Sequence, residues 1–140
     1  MATEDAPTSP GRVLVVDDDK DTLLLIGMTL QRAGYEVFRA SSGAQALELL
    51  GAAEPDVIVL DIMMPEMNGL ELLRRLQVKF TWPPPVVFLT AKSQISDRVQ
   101  GLEAGAFRYL TKPSPKDVLL ETVKEAVAEK RGRPRLTGRW

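Results

Sequence analysis

The run Val13-Leu14-Val15-Val16-Asp17-Asp18-Asp19 joins four apolar residues, three of them β-branched, to three consecutive carboxylates. Two further runs, residues 57–60 and 86–89, also contain no polar residue. Continuous apolar runs of this length are typical of strands buried on both faces of a parallel sheet. We therefore predict three central strands. Residues 36–39 and 107–110 mix polar and apolar side chains, which favours the two sheet edges.

Amphipathic segments separate and follow these strands. Four of them cover about residues 20–33, 44–50, 69–80 and 93–104. The fifth is expected to start at Ser114, with Pro115 in the first helical position and Asp117 three residues after Ser114, and to reach about residue 130. A strand followed by a helix, repeated five times, predicts an α/β fold of (βα)5 topology with a doubly wound, parallel five-stranded sheet.

Length and composition indicate one ordinary globular domain. The 140 residues are 44% hydrophobic and 26% charged, with a formal net charge of -1. The chain has no Cys and no His, which excludes thiol chemistry, imidazole bases and zinc sites built on either residue. Residues 1–11 contain neither a basic nor an apolar signal region, and no apolar run approaches the ~20 residues that span a bilayer. We expect a cytoplasmic protein without membrane attachment.

The charge distribution suggests three regions. Residues 131–140 carry four Arg and no acid, whereas the rest of the chain holds 14 basic and 19 acidic groups. We therefore expect a flexible arm over residues 1–11, a folded domain over residues 12–130 and a basic tail or linker stub over residues 131–140.

Polar side chains follow four of the predicted strands. Asp17, Asp18 and Asp19 follow the first strand and Asp61 the third, while Thr90 ends the fourth and Lys112 comes just after the fifth. Because ligands bind at the carboxyl ends of parallel strands, we expect one crevice that contains carboxylates, a hydroxyl and an ammonium. These groups can hold Mg²⁺ beside a phosphoryl group, with Asp18, Asp61 and a carbonyl as ligands.

Each of these residues also has a purely structural interpretation. An acid in residues 17–19 is a common N-cap for the following helix. Thr90 taken alone is usually a capping hydroxyl, and Lys112 taken alone is usually a solvated charge. The structural interpretation does not explain why all of them fall on one rim of the sheet.

Four segments resemble the receiver domain of two-component response regulators, the chemotaxis receivers among them. They are residues 13–19, residues 61–69 (Asp-Ile-Met-Met-Pro-Glu-Met-Asn-Gly), residues 89–92 (Leu-Thr-Ala-Lys) and residues 109–113 (Tyr-Leu-Thr-Lys-Pro). The resemblance covers about residues 12–130. It implies a flavodoxin-like strand order, 2-1-3-4-5.

The resemblance also implies a role for each matching residue. Asp61 matches the phosphoacceptor that attacks the phosphohistidine of a sensor histidine kinase or phosphotransfer protein. Asp18, Asp61 and the backbone carbonyl of Met63 match direct Mg²⁺ ligands, and Asp17 a ligand acting mainly through water. Lys112 matches the lysine that pairs with a phosphoryl oxygen.

A switch is implied as well. Thr90 matches the hydroxyl that moves to bind the phosphoryl group, and Tyr109 the aromatic residue that then turns inward, while Pro113 matches a proline after a cis peptide. The resemblance thus implies a phosphorelay switch rather than an enzyme with an external substrate. Such a switch catalyses its own phosphorylation and dephosphorylation. It signals through the fourth helix, fifth strand and fifth helix to a downstream protein, to an effector domain or to a second copy of the chain.

Three other functions fit the sequence less well. A haloacid dehalogenase phosphatase needs an acid two residues after its nucleophile, where Met63 stands, and the P-loop motif of nucleotide hydrolases is absent. The tail arginines Arg131, Arg133, Arg135 and Arg139 would attract nucleic acid only weakly, so direct binding to nucleic acid is not expected.

Two segments depart from the receiver pattern: residues 82–85 (Trp-Pro-Pro-Pro) and Phe107-Arg108.

The first predicted helix carries a separate expectation. At 100° per residue, one arc holds Thr22, Leu25, Ile26, Thr29, Leu30 and Ala33, and we assign it to the sheet. Leu24 and Met28 then fall on the opposite side. They are either scattered surface residues or a small apolar patch that docks the phosphohistidine partner.

Overall fold

A computed structural model describes residues 10–133 of the chain. Five strands alternate with five helices: β1 (Arg12–Val16), α1 (Lys20–Arg32), β2 (Glu36–Ala40), α2 (Gly43–Ala53), β3 (Val57–Leu60), α3 (Gly69–Lys79), β4 (Val86–Thr90), α4 (Ile95–Glu103), β5 (Arg108–Thr111) and α5 (Lys116–Arg131). The predicted (βα)5 order is confirmed.

The sheet has the order β2-β1-β3-β4-β5, and every pair is parallel. This is the flavodoxin-like order that the resemblance implied. The central strands β1, β3 and β4 are almost completely buried, and the strands of mixed polarity, β2 and β5, form the edges. The continuous apolar runs therefore mark the middle of the sheet, as predicted.

The helices cover both faces of the sheet. On one face Leu14, Ile58 and Phe88 pack against residues of α2 and α3. On the other face Val13 and Val87 pack against residues of α1 and α5. Each large aliphatic or aromatic side chain buried in this way contributes roughly 1.5–3 kcal/mol of transfer free energy.

The start of α5 differs from the expectation. Pro115 has φ -57° and ψ 145°, so its peptide is extended and Pro115 is the N-cap rather than the first helical residue. Its carbonyl accepts the amide of Leu119 at 3.0 Å. Ser114 is therefore not the cap, and the helix begins at Lys116. A proline fixes φ but leaves ψ free, which is why the sequence pattern placed the helix start too early.

The buried face of α1 also differs from the predicted arc. Its buried residues are Leu23, Ile26, Gly27 and Leu30, whereas Leu25 is 66% exposed and Ala33 is exposed. Gly27 lies against the Arg39 side chain of β2, where a Cβ would come within 2.4 Å of Nε. The buried face therefore includes a glycine, which carries no hydrophobic signal in a periodicity pattern. Leu24 and Met28 are exposed, as predicted.

The described part of the chain begins just before β1 and ends just after α5. Gly11 is buried, and its carbonyl accepts the amide of Glu36 at 3.0 Å. Residues 1–9 of the predicted arm and residues 134–140 of the predicted tail lie outside the described residues. No helix in the described part of the chain is long and apolar enough to cross a membrane.

Candidate functional site

The predicted polar residues meet at the carboxyl edge of the sheet. Asp61 follows β3, and its amide donates to the carbonyl of Val16 at the end of β1. Lys112 follows β5, and its amide donates to the carbonyl of Thr90 at the end of β4, at 2.8 Å. The hydrogen-bonding register of the parallel strands thus continues into the site and fixes the height of each functional side chain.

Three carboxylates form the centre of the site. One oxygen from each of Asp17, Asp18 and Asp61 lies within 4.8 Å of the other two. Asp17 and Asp61 are 2% and 6% exposed, whereas Asp18 is exposed to solvent. Like charges this close repel one another strongly unless a cation lies among them.

Lys112 supplies one such cation. Its Nζ lies 2.7 Å from Oδ2 of Asp17 and 3.0 Å from Oδ2 of Asp61. Burial is the largest influence on Asp17 and raises the pKa of its carboxyl, against the hydrogen bond from Lys112. Burial alone would lower the pKa of Lys112, but its bonds to Asp17 and Asp61 outweigh burial and the net pKa is raised. Lys112 is therefore held as an ammonium between two acids.

The backbone around Asp61 is tightly packed. Its Oδ1 accepts the amide of Met63 at 3.1 Å, so the start of the following loop wraps around the carboxylate. A Cβ at Gly69, the first residue of α3, would lie 2.4 Å from the carbonyl oxygen of Asp61. Only glycine fits there, because the obstructing atom belongs to the backbone. Met63 itself is 54% exposed beside the site.

The structural and functional interpretations of the first acidic run apply to different residues. Asp19 is the N-cap of α1 and accepts the amide of Thr22 at 2.9 Å. The bond from the Thr22 hydroxyl, followed by the one from its amide, lowers the pKa of Asp19. Asp17 instead accepts the amide of Asp19 with Oδ1 and Lys112 with Oδ2. Within residues 10–133, Asp18 makes no side-chain hydrogen bond or ion pair.

Thr90 and Tyr109 are both buried. Thr90 is 0% exposed, and its hydroxyl accepts the amide of Lys92 at a long 3.4 Å. Tyr109 is 3% exposed, although it lies on an edge strand. Its hydroxyl donates to the carbonyl of Lys92 at 2.7 Å. Lys92 in the loop between β4 and α4 therefore joins the two predicted switch residues.

Two residues of α4 that the sequence analysis did not single out hold Tyr109 in place. The Arg98 guanidinium lies 5.4 Å from the centre of the Tyr109 ring, and Nη1 donates to the Tyr109 carbonyl at 3.0 Å. A Cβ at Gly101 would lie 2.8 Å from the same ring. The ring also contacts Phe88 edge-on. The sequence carries one signal of this contact, which is a glycine inside a predicted helix. A glycine there costs ~1 kcal/mol of helix stability relative to alanine, so its presence indicates close packing.

The carboxylate cluster fits a hard divalent cation. Its donors are carboxylate oxygens, which Mg²⁺ prefers, and Asp18 is an exposed carboxylate that no protein group engages in the described part of the chain. One lysine offsets only one of the three negative charges. The charge and the chemistry of the donor set thus both favour a bound cation.

The sequence and the fold match a known protein family. The sequence profile described as "Response regulator receiver domain" matches residues 13–124. The chain belongs to the response regulator receiver domain family. The Lys112–Pro113 peptide of this receiver is cis, as the resemblance implied.

Individual relatives agree with this assignment. The receiver is 44% identical over 109 residues to the alkaline phosphatase synthesis transcriptional regulatory protein PhoP of Bacillus subtilis, covering 76% of this chain and 45% of that protein. It is 42% identical over 127 residues to the transcriptional regulatory protein TrcR of Mycobacterium tuberculosis, covering 91% of this chain and 46% of that protein. The chain thus spans less than half the length of these relatives.

Solved structures give the same fold. The receiver domain of the Francisella response regulator 1452 superposes with a TM-score of 0.80 at 34% identity, covering 85% of this chain and 98% of that one. The chemotaxis protein CheY4 of Vibrio cholerae superposes with a TM-score of 0.74 at 35% identity, covering 82% and 97%. The whole receiver fold is therefore present in this chain.

Proposed function

We propose that this receiver is a phosphoacceptor switch of a two-component system, in which Asp61 is the residue that is phosphorylated. The observation that carries the proposal is the position of the Asp61 carboxylate. It is 6% exposed, accepts Lys112 and the Met63 amide, and lies beside the carboxylates of Asp17 and Asp18. It is thus the carboxylate at which the cation and the acids converge.

The proposed reaction is a transfer between two covalent phosphoryl carriers. A carboxylate oxygen of Asp61 attacks phosphorus, a new O–P bond forms, and the P–N bond of a partner phosphohistidine breaks. The bonding electron pair stays on the imidazole nitrogen, and the product is an acyl phosphate. The chain has no His, so the donor imidazole belongs to the partner.

The chain's own residues would prepare this step. Lys112 already contacts Asp61 and is placed to pair with a phosphoryl oxygen once the group is transferred. Asp18, Asp61 and the Met63 carbonyl would hold Mg²⁺ directly, with Asp17 acting mainly through water. Bound Mg²⁺ supplies positive charge that offsets the charge on the transferring phosphoryl oxygens. The same groups would serve the chain's own dephosphorylation.

The proposed relay runs from the site to the surface of α4, β5 and α5. Movement of the Thr90 hydroxyl towards a phosphoryl oxygen would disturb its contact with Lys92, whose carbonyl holds Tyr109. A phosphoryl group adds nearly two negative charges, enough to shift a two-state element by a few kcal/mol. The α4 side of this surface exposes Ile95, Val99 and Leu102.

The proposed partners follow from this chemistry. The donor is a sensor histidine kinase or a phosphotransfer protein, and the reaction takes place in the cytoplasm. The output surface meets a downstream protein, an effector domain or, after phosphorylation, a second copy of the chain. The transcriptional regulators among the relatives support an effector role. The bounds proposed for the receiver unit are residues 12–130.

Intact mass spectrometry tests the central step. The full chain and Asp61→Asn are each incubated with Mg²⁺ and a small acyl-phosphate donor. We expect the parent to gain the mass of one phosphoryl group and the variant to gain none. Equal mass gain in both proteins would place the modification elsewhere, and no gain in either would overturn the proposal. Omitting Mg²⁺ should suppress the gain in the parent.

A further inference from the structure

The edge of the sheet opposite the phosphoacceptor site carries two adjoining cavities. One has a volume of about 770 Å³ and includes Phe80 and Leu50 in its lining, and the other has about 610 Å³ and includes Leu73 and Val86. Trp82 and Pro84 line both cavities. We call the two cavities together the Trp82 surface. Trp82 is 53% exposed, so a large aromatic side chain lies uncovered between them.

The lining of the larger cavity includes three carboxylates and three cations, and at one side two of the carboxylates share a single cation. Arg12 is the shared partner of Glu36 at 3.1 Å and Glu54 at 4.0 Å, so one guanidinium faces two carboxylates. The nearby cations Lys130 and Arg131 pair with Asp56 instead. The Glu36 and Glu54 side chains are 53% and 77% exposed, which leaves them accessible to a further cation.

The described chain ends on this surface. Helix α5 stops at Arg131, and Gly132 is its C-cap. The Arg133 guanidinium then donates to the carbonyl of Pro83 at 2.8 Å and pairs with Glu129 at 3.1 Å. The next residue is Pro134, which cannot continue a helix and favours an extended backbone before it. Arg133, the last described residue, thus lines the smaller cavity together with Trp82.

The composition of the next seven residues complements the surface. Residues 134–140 read Pro-Arg-Leu-Thr-Gly-Arg-Trp, with two cations, two large apolar side chains and no acid. Extended at 3.3–3.6 Å per residue, they reach roughly 23 Å, which is enough to cross cavities of this size. Tethering by a short linker also supplies an effective concentration of order mM.

We propose that residues 134–140 bind back onto the Trp82 surface of the same chain. Leu136 and Trp140 cover the apolar walls around Trp82 and Pro84, and Arg135 and Arg139 face Glu36 and Glu54. Such binding covers the exposed indole with apolar surface and gives each of the two carboxylates its own cation. It assigns one role to the Trp-Pro-Pro-Pro segment and to residues 134–140.

Backbone ¹⁵N relaxation of the full 140-residue chain tests the proposal. We expect order parameters above ~0.6 for Leu136 and Trp140, because values below ~0.6 mark a flexible backbone. The values should not change on dilution. Trp82→Ala should lower them, whereas Val78→Ala should not, since Val78 is 89% exposed and lines neither cavity. Flexible values in the unmodified chain, or no response to Trp82→Ala, overturn the proposal.

A second variant leaves the described fold untouched. Leu136→Ser should shift the indole N–H resonance of Trp82 and the amide resonance of Gly51, which lines the larger cavity. Resonances at the Asp61 site should stay in place. Absence of shifts at Trp82 and Gly51 would contradict the proposal. Ordering that weakens on dilution would show that a second copy supplies the segment, which also contradicts binding within one chain.

Discussion

The hydroxyl of Tyr109 donates to the backbone carbonyl of Lys92 at 2.7 Å, across 17 positions of the chain. This bond ties β5 to the loop that follows Thr90, so the aromatic ring and the site share one loop. The ring is inward and buried in this structure. The inward position is the one that the family resemblance linked to movement of Thr90.

Ionisation of Tyr109 should break this bond. Burial is the largest influence and raises its pKa above the ordinary 10.0, with Asp97 adding to the increase and Arg98 opposing it. Because the folded-state pKa is raised, this contribution to stability is fully present below pH 10.0 and is lost as pH rises through the folded-state value. The variant Tyr35→Phe leaves Tyr109 as the sole tyrosine. Its phenolate absorbance should appear at a higher pH in the folded protein than in the protein unfolded in urea. Coincident titrations would contradict the assignment.

Gly101→Ala should displace the Tyr109 ring. The new Cβ would lie 2.8 Å from Cδ2 of the ring, a distance that side chains do not tolerate. We expect loss of the bond to Lys92, seen as shifts of the Tyr109 ring and Lys92 amide resonances. Gly51→Ala is the control, because its Cβ meets nothing within 4 Å, and it should stabilise the protein by roughly 0.5–1 kcal/mol. Unchanged Tyr109 resonances in Gly101→Ala would show that the helix absorbs the methyl group.

Asp18→Ala should weaken Mg²⁺ binding and nearly abolish phosphorylation while the fold stays intact. Removing one of three crowded carboxylates should also raise the stability of the metal-free protein by about 1 kcal/mol, since like charges repel. Titration calorimetry with Mg²⁺ and thermal unfolding measure the two effects. Asp21→Ala removes an exposed acid outside the cluster and should leave Mg²⁺ affinity unchanged. A lower melting temperature with unaltered Mg²⁺ affinity would falsify the assignment of Asp18.

Lys112→Ala should still allow some modification of Asp61 but uncouple it from the structural response. The variant retains the nucleophile and loses the ammonium that lies 3.0 Å from it. We expect phosphorylation to cause much smaller chemical-shift changes at Tyr109 and α4 than in the parent protein. Lys116→Ala, an exposed lysine on α5, should respond as the parent does. If Lys112→Ala responds fully, Lys112 does not read the phosphoryl group.

Leu24→Ser combined with Met28→Ser should slow phosphotransfer from the cognate phosphohistidine protein and leave labelling by a small acyl phosphate unchanged. Both side chains are exposed on α1, at 53% and 37%, and a small donor needs no docking surface. Rapid-quench kinetics with each donor separate the two effects. Val78→Ser, an exposed apolar residue on α3, should alter neither rate. If both rates fall in the double variant, or neither does, the patch is not a docking site.

The strand pattern and the convergence of site residues were predictable from the sequence. The runs at residues 13–16, 57–60 and 86–89 contain no polar residue, and such a composition is typical of strands covered on both faces. Parallel strands then bring their carboxyl ends to one edge, which is why Asp17, Asp61 and Lys112 meet although 95 positions separate the first and last. The strand order itself came from the family resemblance.

Contacts between distant segments decided the rest. The buried face of α1 includes Gly27, which lies against Arg39, and the inward Tyr109 contacts Lys92, Arg98 and Gly101. A local pattern records whether a residue is apolar, but it does not record the shape of the surface that residue meets. The sequence by itself therefore determined which residues reach the site, and the tertiary structure decided which side chains are free, which are paired and which are held in place.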